Sequence, residues 1–239
     1  MNVERRSAVI IGGGPAGLAA AIRLREKGVE DVVVLEREGQ TGGILRQCIH
    51  DGFGLTRFGE SLSGPEYAQR FVDGAQALGI PCLTDTTVLR LDGDRTVTAS
   101  GPAGLRHIRG DAVLLTMGCR ERTRGALAIP GSRPAGIWTA GVAQEYINLR
   151  NRMVGREVVI LGSGDIGMIM ARRLTLEGAH VKGVYEVQPY PSGLPRNIEQ
   201  CLNDYSIPLH LSHTVTDIRG RARLEGVTIS RVDEHFRPI

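Results

Sequence analysis

Aromatic side chains make up only 4% of the 239 residues, with one tryptophan and four phenylalanines. A core built on stacked rings is therefore excluded, and aliphatic and small residues must fill the interior. The four cysteines, Cys48, Cys82, Cys119 and Cys201, lie far apart and form no C-x-x-C. Neither a zinc site nor a redox dithiol is indicated, and no metal site is expected. No apolar run is long enough to cross a bilayer. The start, Met1-Asn2-Val3-Glu4-Arg5-Arg6-Ser7, runs straight into the first strand without a signal-peptide pattern, so a cytoplasmic protein is the expectation. Charge is also close to balance, at +3, with scattered basic residues, which argues against a nucleic-acid surface. What remains is a globular composition, 41% hydrophobic and 23% charged, at a length that suits two compact domains or one large one.

Glycine is abundant, at 32 residues, and its placement is patterned. Val9-Ile10-Ile11-Gly12-Gly13-Gly14-Pro15-Ala16-Gly17 reads as a buried strand, a glycine turn and the start of a helix that continues through Leu24. Gly12, Gly14 and Gly17 have the G-x-G-x-x-G spacing of a dinucleotide site. Gly12 permits the tight turn, Gly14 lets a pyrophosphate approach bare backbone, and Gly17 lets the helix pack closely on the sheet. The helix mouth at Pro15 and Ala16 then turns its positive end toward the phosphates. Residues 32–36 supply the next strand, ending in Glu36, which is placed to accept hydrogen bonds from a ribose. Arg37 follows it and joins the cofactor-binding candidates.

The same unit recurs 150 residues further on. Gly12, Gly14, Gly17 and Glu36 map onto Gly162, Gly164, Gly167 and Glu186 without insertion, and Ser163, Asp165 and Ile166 complete the second turn. Gly28 maps onto Gly178, each just past a predicted helix end, where a left-handed cap favours glycine. One copy alone is a common glycine turn. Two copies, each between an apolar strand and an amphipathic helix and each closed by a glutamate, identify two dinucleotide sites.

Residues 37–65 carry seven glycines (Gly39, Gly42, Gly43, Gly52, Gly54, Gly59 and Gly64) and little periodicity, which predicts a long functional loop. Gly64-Pro65-Glu66 opens a helix through Leu78, with Tyr67, Phe71, Ala75 and Leu78 as its buried stripe. Residues 80–83 read as a short strand, and residues 86–91, 95–100 and 105–109 as a β-meander. Residues 111–118 read as a separate buried strand. Residues 119–152 are turn-rich, with a helix over 139–149. Beyond the second unit, residues 189–195 read as a loop, 197–205 as a helix, and 207–211 and 224–232 as strands. No closing helix or final strand follows.

These residues resemble a known family, the flavoproteins with two dinucleotide-binding domains that include thioredoxin reductase and lipoamide dehydrogenase. The resemblance rests on the two glycine–glutamate sites and on Thr116-Met117-Gly118, which looks like that family's Ala-Thr-Gly turn. Gly42-Gly43-Ile44-Leu45-Arg46-Gln47-Cys48-Ile49-His50, and the run from Gly131 through Trp138 to Gly141, are similar to one branch in particular. That branch holds FAD subunits of amino-acid, opine and cyanide-forming dehydrogenases and oxidoreductases found beside glycerol-3-phosphate dehydrogenase. The disulfide reductases of the family carry a second cysteine near this loop or a C-x-x-C in the second domain. Here Leu45 takes that place, which argues against a disulfide relay. Family members are also longer, and return to the FAD domain after the second one.

The implied fold is α/β, two Rossmann-like FAD/NAD(P)-binding domains with β-meander insertions, truncated at the C-terminus. Residues 1–120 would form the FAD-binding domain without its return segment, 121–152 a connector, and 153–239 an incomplete NAD(P)-binding domain. The resemblance implies FAD at Gly12, Gly14, Gly17 and Glu36, with Val88 backbone at the adenine, Gly42 and Gly43 along the approach to the flavin, and Thr116 and Gly118 near the cofactor. It implies NAD(H) at the second site, because Glu186 would repel a 2′-phosphate. NADP(H) would need Arg196 to swing in, and a solvated Arg196 is favoured. Hydride transfer would follow from setting nicotinamide C4 against flavin N5. Cys48 and His50 are the catalytic candidates. Their commoner roles, a small buried hydrophobe and a hydrogen-bonded loop histidine, are favoured. Three readings stand: a FAD-dependent NAD(H) oxidoreductase with a small-molecule or protein redox partner, a FAD-carrying member of an amine or amino-acid dehydrogenase built from several different subunits, and an inactive fragment. Assembly with itself or with partner subunits is expected.

Overall fold

The computed structural model describes residues 3–239. The chain divides into two compact units, one ending at Cys119 and the other running Arg120–Ile239. In the first, β1 (Val3–Ile11), α1 (Pro15–Glu26) and β2 (Val32–Leu35) make a βαβ unit. Ala8, Val9, Ile10 and Ile11 are buried, as are all four residues of β2, because parallel strands are covered on both faces. α1 buries Gly17, Leu18 and Ala21. Arg23 and Arg25 lie in its last turn, where the helix dipole favours cations. Gly28, at φ +87°, supplies the left-handed residue just past its end.

The glycine-rich loop folds into a 3-10 turn (Gly43–Gln47) and the single-turn α2 (Leu55–Phe58) before α3 (Gly64–Ala77). α3 is capped by Ser63. Its amide donates to Glu66 Oε2 at 2.7 Å, and Glu66 N donates to Ser63 Oγ at 3.5 Å, a capping box. The scarce rings gather here. Phe53, Phe58, Tyr67 and Phe71 sit with neighbouring centroids 5.2–6.3 Å apart. Phe71 and Ala75 join Leu18 and Ala21 of α1 in the core over Ile10 and Val34.

β3 (Cys82–Leu83), β4 (Thr87–Leu91), β5 (Thr96–Gly101) and β6 (Gly104–Leu115) complete a six-stranded sheet ordered β3-β2-β1-β6-β5-β4. β1 runs parallel to β2 and β6, while β4, β5 and β6 form an antiparallel meander. The strands expected at 105–109 and 111–118 are one strand, β6, and it ends at Leu115. Gly110 lies between them and looks like a break in the sequence. Only glycine fits there, since a Cβ would meet Ala112 O of the same strand at 2.6 Å and the Val9 side chain of β1 at 3.1 Å. The far half of β6 is also less buried than expected, with Leu115 exposed. It pairs with β1 alone, through Ala112 to Leu115, whereas the near half also pairs with β5.

The second unit comprises α4 (Ala140–Asn148), β7 (Glu157–Leu161), α5 (Asp165–Leu176), β8 (His180–Glu186), α6 (Pro195–Cys201), β9 (Leu209–Leu211), β10 (His213–Gly220) and β11 (Leu224–Arg231). β7, β8 and β9 form a parallel sheet, and β10 and β11 a separate hairpin. The helix of the turn-rich segment, α4, packs inside this unit. Its Ala143 and Ile147 share a core with Val154, Met168, Leu174 and Leu202. The helix expected over 197–205 is two pieces, α6 and a 3-10 turn (Asn203–Tyr205). β10 is a strand that the sequence pattern does not announce. A register shift between Val215 and Asp217 breaks its alternation and leaves Val215 and Ile218 as the buried residues.

One charge pair ties β6 to β1. Arg106 Nε and Nη2 donate to the two Glu4 carboxylate oxygens at 2.8 and 2.7 Å. That hydrogen bonding holds the Glu4 carboxyl below its ordinary value. Its stabilisation is therefore present above the ordinary carboxylate range and is lost as pH falls through the lowered value. The side chains are 26% and 32% exposed, so Glu4→Gln should cost about 0.5–1 kcal/mol at pH 7 in urea unfolding. The difference from wild type should shrink below about pH 4. A difference independent of pH would show that this pair does not stabilise the sheet.

Candidate functional site

Each unit carries the same turn, built from the same contacts. Gly12 leaves β1 at φ +112° and its amide donates to Leu35 O at 2.9 Å. Gly162 leaves β7 at φ +99° and its amide donates to Tyr185 O at 2.7 Å. The third glycine packs against the first. A Cβ on Gly17 would lie 2.0 Å from Gly12 O, and one on Gly167 would lie 2.6 Å from Gly162 O. This close approach seats α1 and α5 on their strands. The first intrahelical bonds run from Leu18 N to Gly14 O, 3.0 Å, and from Met168 N to Gly164 O, 3.1 Å. The earlier amides, of Ala16 and Gly17 or of Asp165, Ile166 and Gly167, have no partner within their own helix. Pro15 has no amide to contribute.

The glutamates close both turns from beneath. Glu36 is 7% exposed. Its Oε2 accepts Gly13 N at 2.8 Å and its Oε1 accepts Glu38 N at 2.9 Å. Glu186 repeats this with Ser163 N and Gln188 N, both at 3.0 Å. Burial pushes the Glu186 carboxyl up, but the donors from Gln188, Ser163 and Ser192 outweigh it and hold the group below its ordinary value. Each carboxylate is thus fixed by backbone amides next to its glycine turn, the chemistry that suits a pair of sugar hydroxyls.

A model of the pyridine nucleotide-disulphide oxidoreductase family matches residues 6–235. The chain belongs to this family. It is 29% identical over 247 aligned residues to hydrogen cyanide synthase subunit HcnB of Pseudomonas aeruginosa, covering 96% of this chain and 52% of that protein. It is 27% identical to an opine oxidase subunit of Rhizobium meliloti, covering 72% of this chain and 36% of that protein. The chain therefore spans about half the length of HcnB. Among solved structures, thioredoxin reductase of T. acidophilum has a TM-score of 0.68 at 21% identity, covering 95% of this chain and 71% of that one. Bacillithiol disulfide reductase of Bacillus cereus has a TM-score of 0.71 at 19% identity, covering 95% and 75%. These two likenesses show the fold, a pair of Rossmann-like α/β units of the thioredoxin reductase kind.

The residues fit a dinucleotide at the first turn. A Cβ on Gly14 would meet only Gly43 Cα, at 3.7 Å, so the space in front of the turn is bare backbone. The Gly42–Gly43 segment crosses this turn, with Gly42 N donating to Gly13 O at 2.8 Å. A Cβ on Gly43 would come within 2.9 Å of Gly14 Cα, which accounts for a second glycine pair in the loop. Thr116 Oγ1 donates to Ile11 O and Gly12 O, each at 3.0 Å, and so braces the turn from just beyond β6. Gly118 follows at φ +70° with nothing near its missing side chain. Arg37 is exposed and pairs with Glu38 at 3.2 Å. Val88 is half-buried on β4 and packs against the core that holds Val97 and Ala99.

Cys48 and His50 lie in the loop beyond Gly43. Burial pushes the Cys48 thiol up, and Cys48 Sγ sits 3.5 Å from Ile44 O. It is therefore a protonated thiol at neutral pH rather than a nucleophile. All four cysteines are free. His50 Nδ1 lies 3.0 Å from Asp51 O, and its ring packs on Phe53 at 5.1 Å. Among the described residues no cluster could hold a metal ion and no helix is long and apolar enough to cross a membrane.

The structure adds residues that the sequence reading missed. Ser192 and Gly193 cross the second turn as Gly42 and Gly43 cross the first, again 150 residues apart. Extending the internal repeat past Glu186 would have found them.

The second and third glycines of the first turn should differ under substitution. Gly14 has ordinary extended backbone, φ −77°, and room for a methyl group, so Gly14→Ala should change stability by less than about 0.5 kcal/mol. Gly17→Ala should cost about 1–3 kcal/mol by overpacking against Gly12 O. Urea unfolding measures both, and equal losses would contradict the close approach.

Proposed function

We propose that the first turn holds FAD, that the second holds NAD(H), and that the chain passes a hydride between them on behalf of a further small-molecule or protein redox partner. The observation that carries this reading is the duplicated turn, each with its own buried glutamate. When bound, the two cofactors supply the redox chemistry. The chain supplies position. The Ala16 and Gly17 amides and the bare backbone of Gly12 and Gly14 would receive the FAD pyrophosphate, and Glu36 its ribose. Gly42, Gly43, Thr116 and Gly118 would line the path toward the flavin, Val88 would meet the adenine, and Arg37 would stand at the outer rim. In the second unit, the turn from Gly162 to Gly167 and Glu186 would play the corresponding parts. Glu186 is fixed and ionised, so it favours a 2′-hydroxyl over a 2′-phosphate. Cys48, kept as a thiol, and His50, tied to the loop backbone, are structural in this reading.

A second reading, in which the chain works within a larger dehydrogenase of several subunits, is supported by the names of its relatives. Both the hydrogen cyanide synthase and the opine oxidase relatives are named as subunits, and this chain spans about half of the former. In that case the substrate site lies on a partner chain.

A visible spectrum separates the readings. Yellow protein bleached by NADH supports the first. Yellow protein reduced only after a partner and its amine substrate are added supports the second. Colourless protein that takes up no FAD contradicts both. Gly14→Val should give folded protein without flavin, and full flavin content in that variant would refute the placement. Glu186→Ala should weaken NADH binding at least tenfold while FAD is retained.

A further inference from the structure

The segment that crosses the first turn is tied by Gly42 N to Gly13 O at 2.8 Å, and the segment that crosses the second is tied by side chains as well. In the first, each Glu36 oxygen accepts one backbone amide, so the carboxylate keeps lone pairs for a ligand. In the second, Glu186 Oε2 accepts Ser163 N at 3.0 Å, Ser163 Oγ at 2.6 Å and Ser192 Oγ at 3.1 Å. Three donors exhaust that oxygen. Both hydroxyls belong to residues that replace glycines, Gly13 by Ser163 and Gly42 by Ser192. Ser192 N also donates to Ser163 Oγ at 2.9 Å, so the crossing segment is tied to the floor of the turn.

A second tie lies at the helix mouth. Asp165 stands where the first turn has Pro15, at the first position of α5. Its Oδ1 accepts Leu194 N at 2.7 Å and Asn197 Nδ2 at 2.8 Å, and Asn197 is buried. Gly193 is pressed against the same spot. A Cβ there would lie 2.9 Å from Asp165 N and 2.4 Å from Met168 Cε. The Asp165 amide is thus covered by Gly193 and flanked by a carboxylate, while a Cβ on Gly164 would meet only Ser192 Oγ, at 4.0 Å. That carboxylate already complements the positive end of α5 and repels an incoming anion.

We infer that Asp165, Ser163 and Ser192 form a latch that holds residues 192–194 across the second cradle, so that a nucleotide enters only by displacing them. This rests on the reading that the second cradle takes NAD(H). The latch makes that cradle the weaker of the two and turns nucleotide binding into an opening of the 192–194 segment. Asp165→Asn removes the repelling charge and weakens the tie, and Ser192→Ala removes one competitor for Glu186.

The test is NADH affinity of the FAD-loaded protein, read by nucleotide fluorescence, with hydrogen exchange at the Ser192 and Leu194 amides as a readout independent of turnover. The latch predicts that Asp165→Asn tightens NADH at least tenfold and Ser192→Ala a few-fold. It also predicts that NADH speeds exchange at the two amides in the wild type. Unchanged or weaker NADH binding in both variants, or slower exchange at those amides on adding NADH, overturns the latch while leaving the NAD(H) site standing. If neither wild type nor variant binds NADH at millimolar concentration while FAD is retained, the NAD(H) reading itself is overturned.

Discussion

The structure depends on one steric constraint used twice: a helix carried so close to the end of a strand that no side chain fits between them. Gly17 against Gly12 O, and Gly167 against Gly162 O, leave no room for a methyl group. That approach places a helix mouth directly over a turn of bare backbone, and the buried glutamate beneath is held by the amides of the turn itself. In the proposed reading, amides for a phosphate and a carboxylate for a sugar are thereby held in place by the fold, which limits the ordering cost of binding. The rest of each unit serves this arrangement. β2 and β8 deliver the glutamates, and Thr116 braces the first turn from the end of a neighbouring strand.

The two copies keep this geometry and diverge in chemistry. Where the first has Gly13, Pro15 and Gly42, the second has Ser163, Asp165 and Ser192. The substitutions share one property, since each adds a polar group that satisfies the protein's own donors and acceptors. A tightly retained cofactor calls for an open, preorganised cradle. A nucleotide that binds and leaves on each cycle is served by one that closes on itself. The divergence matches a division of labour between a resident FAD and an exchanging NAD(H), which is the proposed reading.

Much of this was legible in the residues, because the signals are local. Glycine positions with positive φ, the glutamate at each strand end and the cap at Gly28 follow from chain geometry over a few residues. The family membership and two-unit α/β fold followed from their duplication. What was missed depends on distant contacts. Gly110 is carried through β6 by its pairing with Arg6 of β1, far away in sequence, and the bulge in β10 hides its alternation. α3 starts at Gly64, as the Gly64-Pro65-Glu66 run implies, and Ser63 adds the cap. Ser192 and Gly193 fell inside a loop without periodicity, and only their place across the second turn gives them meaning.

The central claim is that one chain holds two independent dinucleotide cradles. Equilibrium dialysis with FAD and NADH together tests it most directly. One FAD and one NADH per chain are expected, with saturating NADH leaving bound FAD unchanged. Displacement of FAD by NADH, or a total of one dinucleotide per chain, would contradict it.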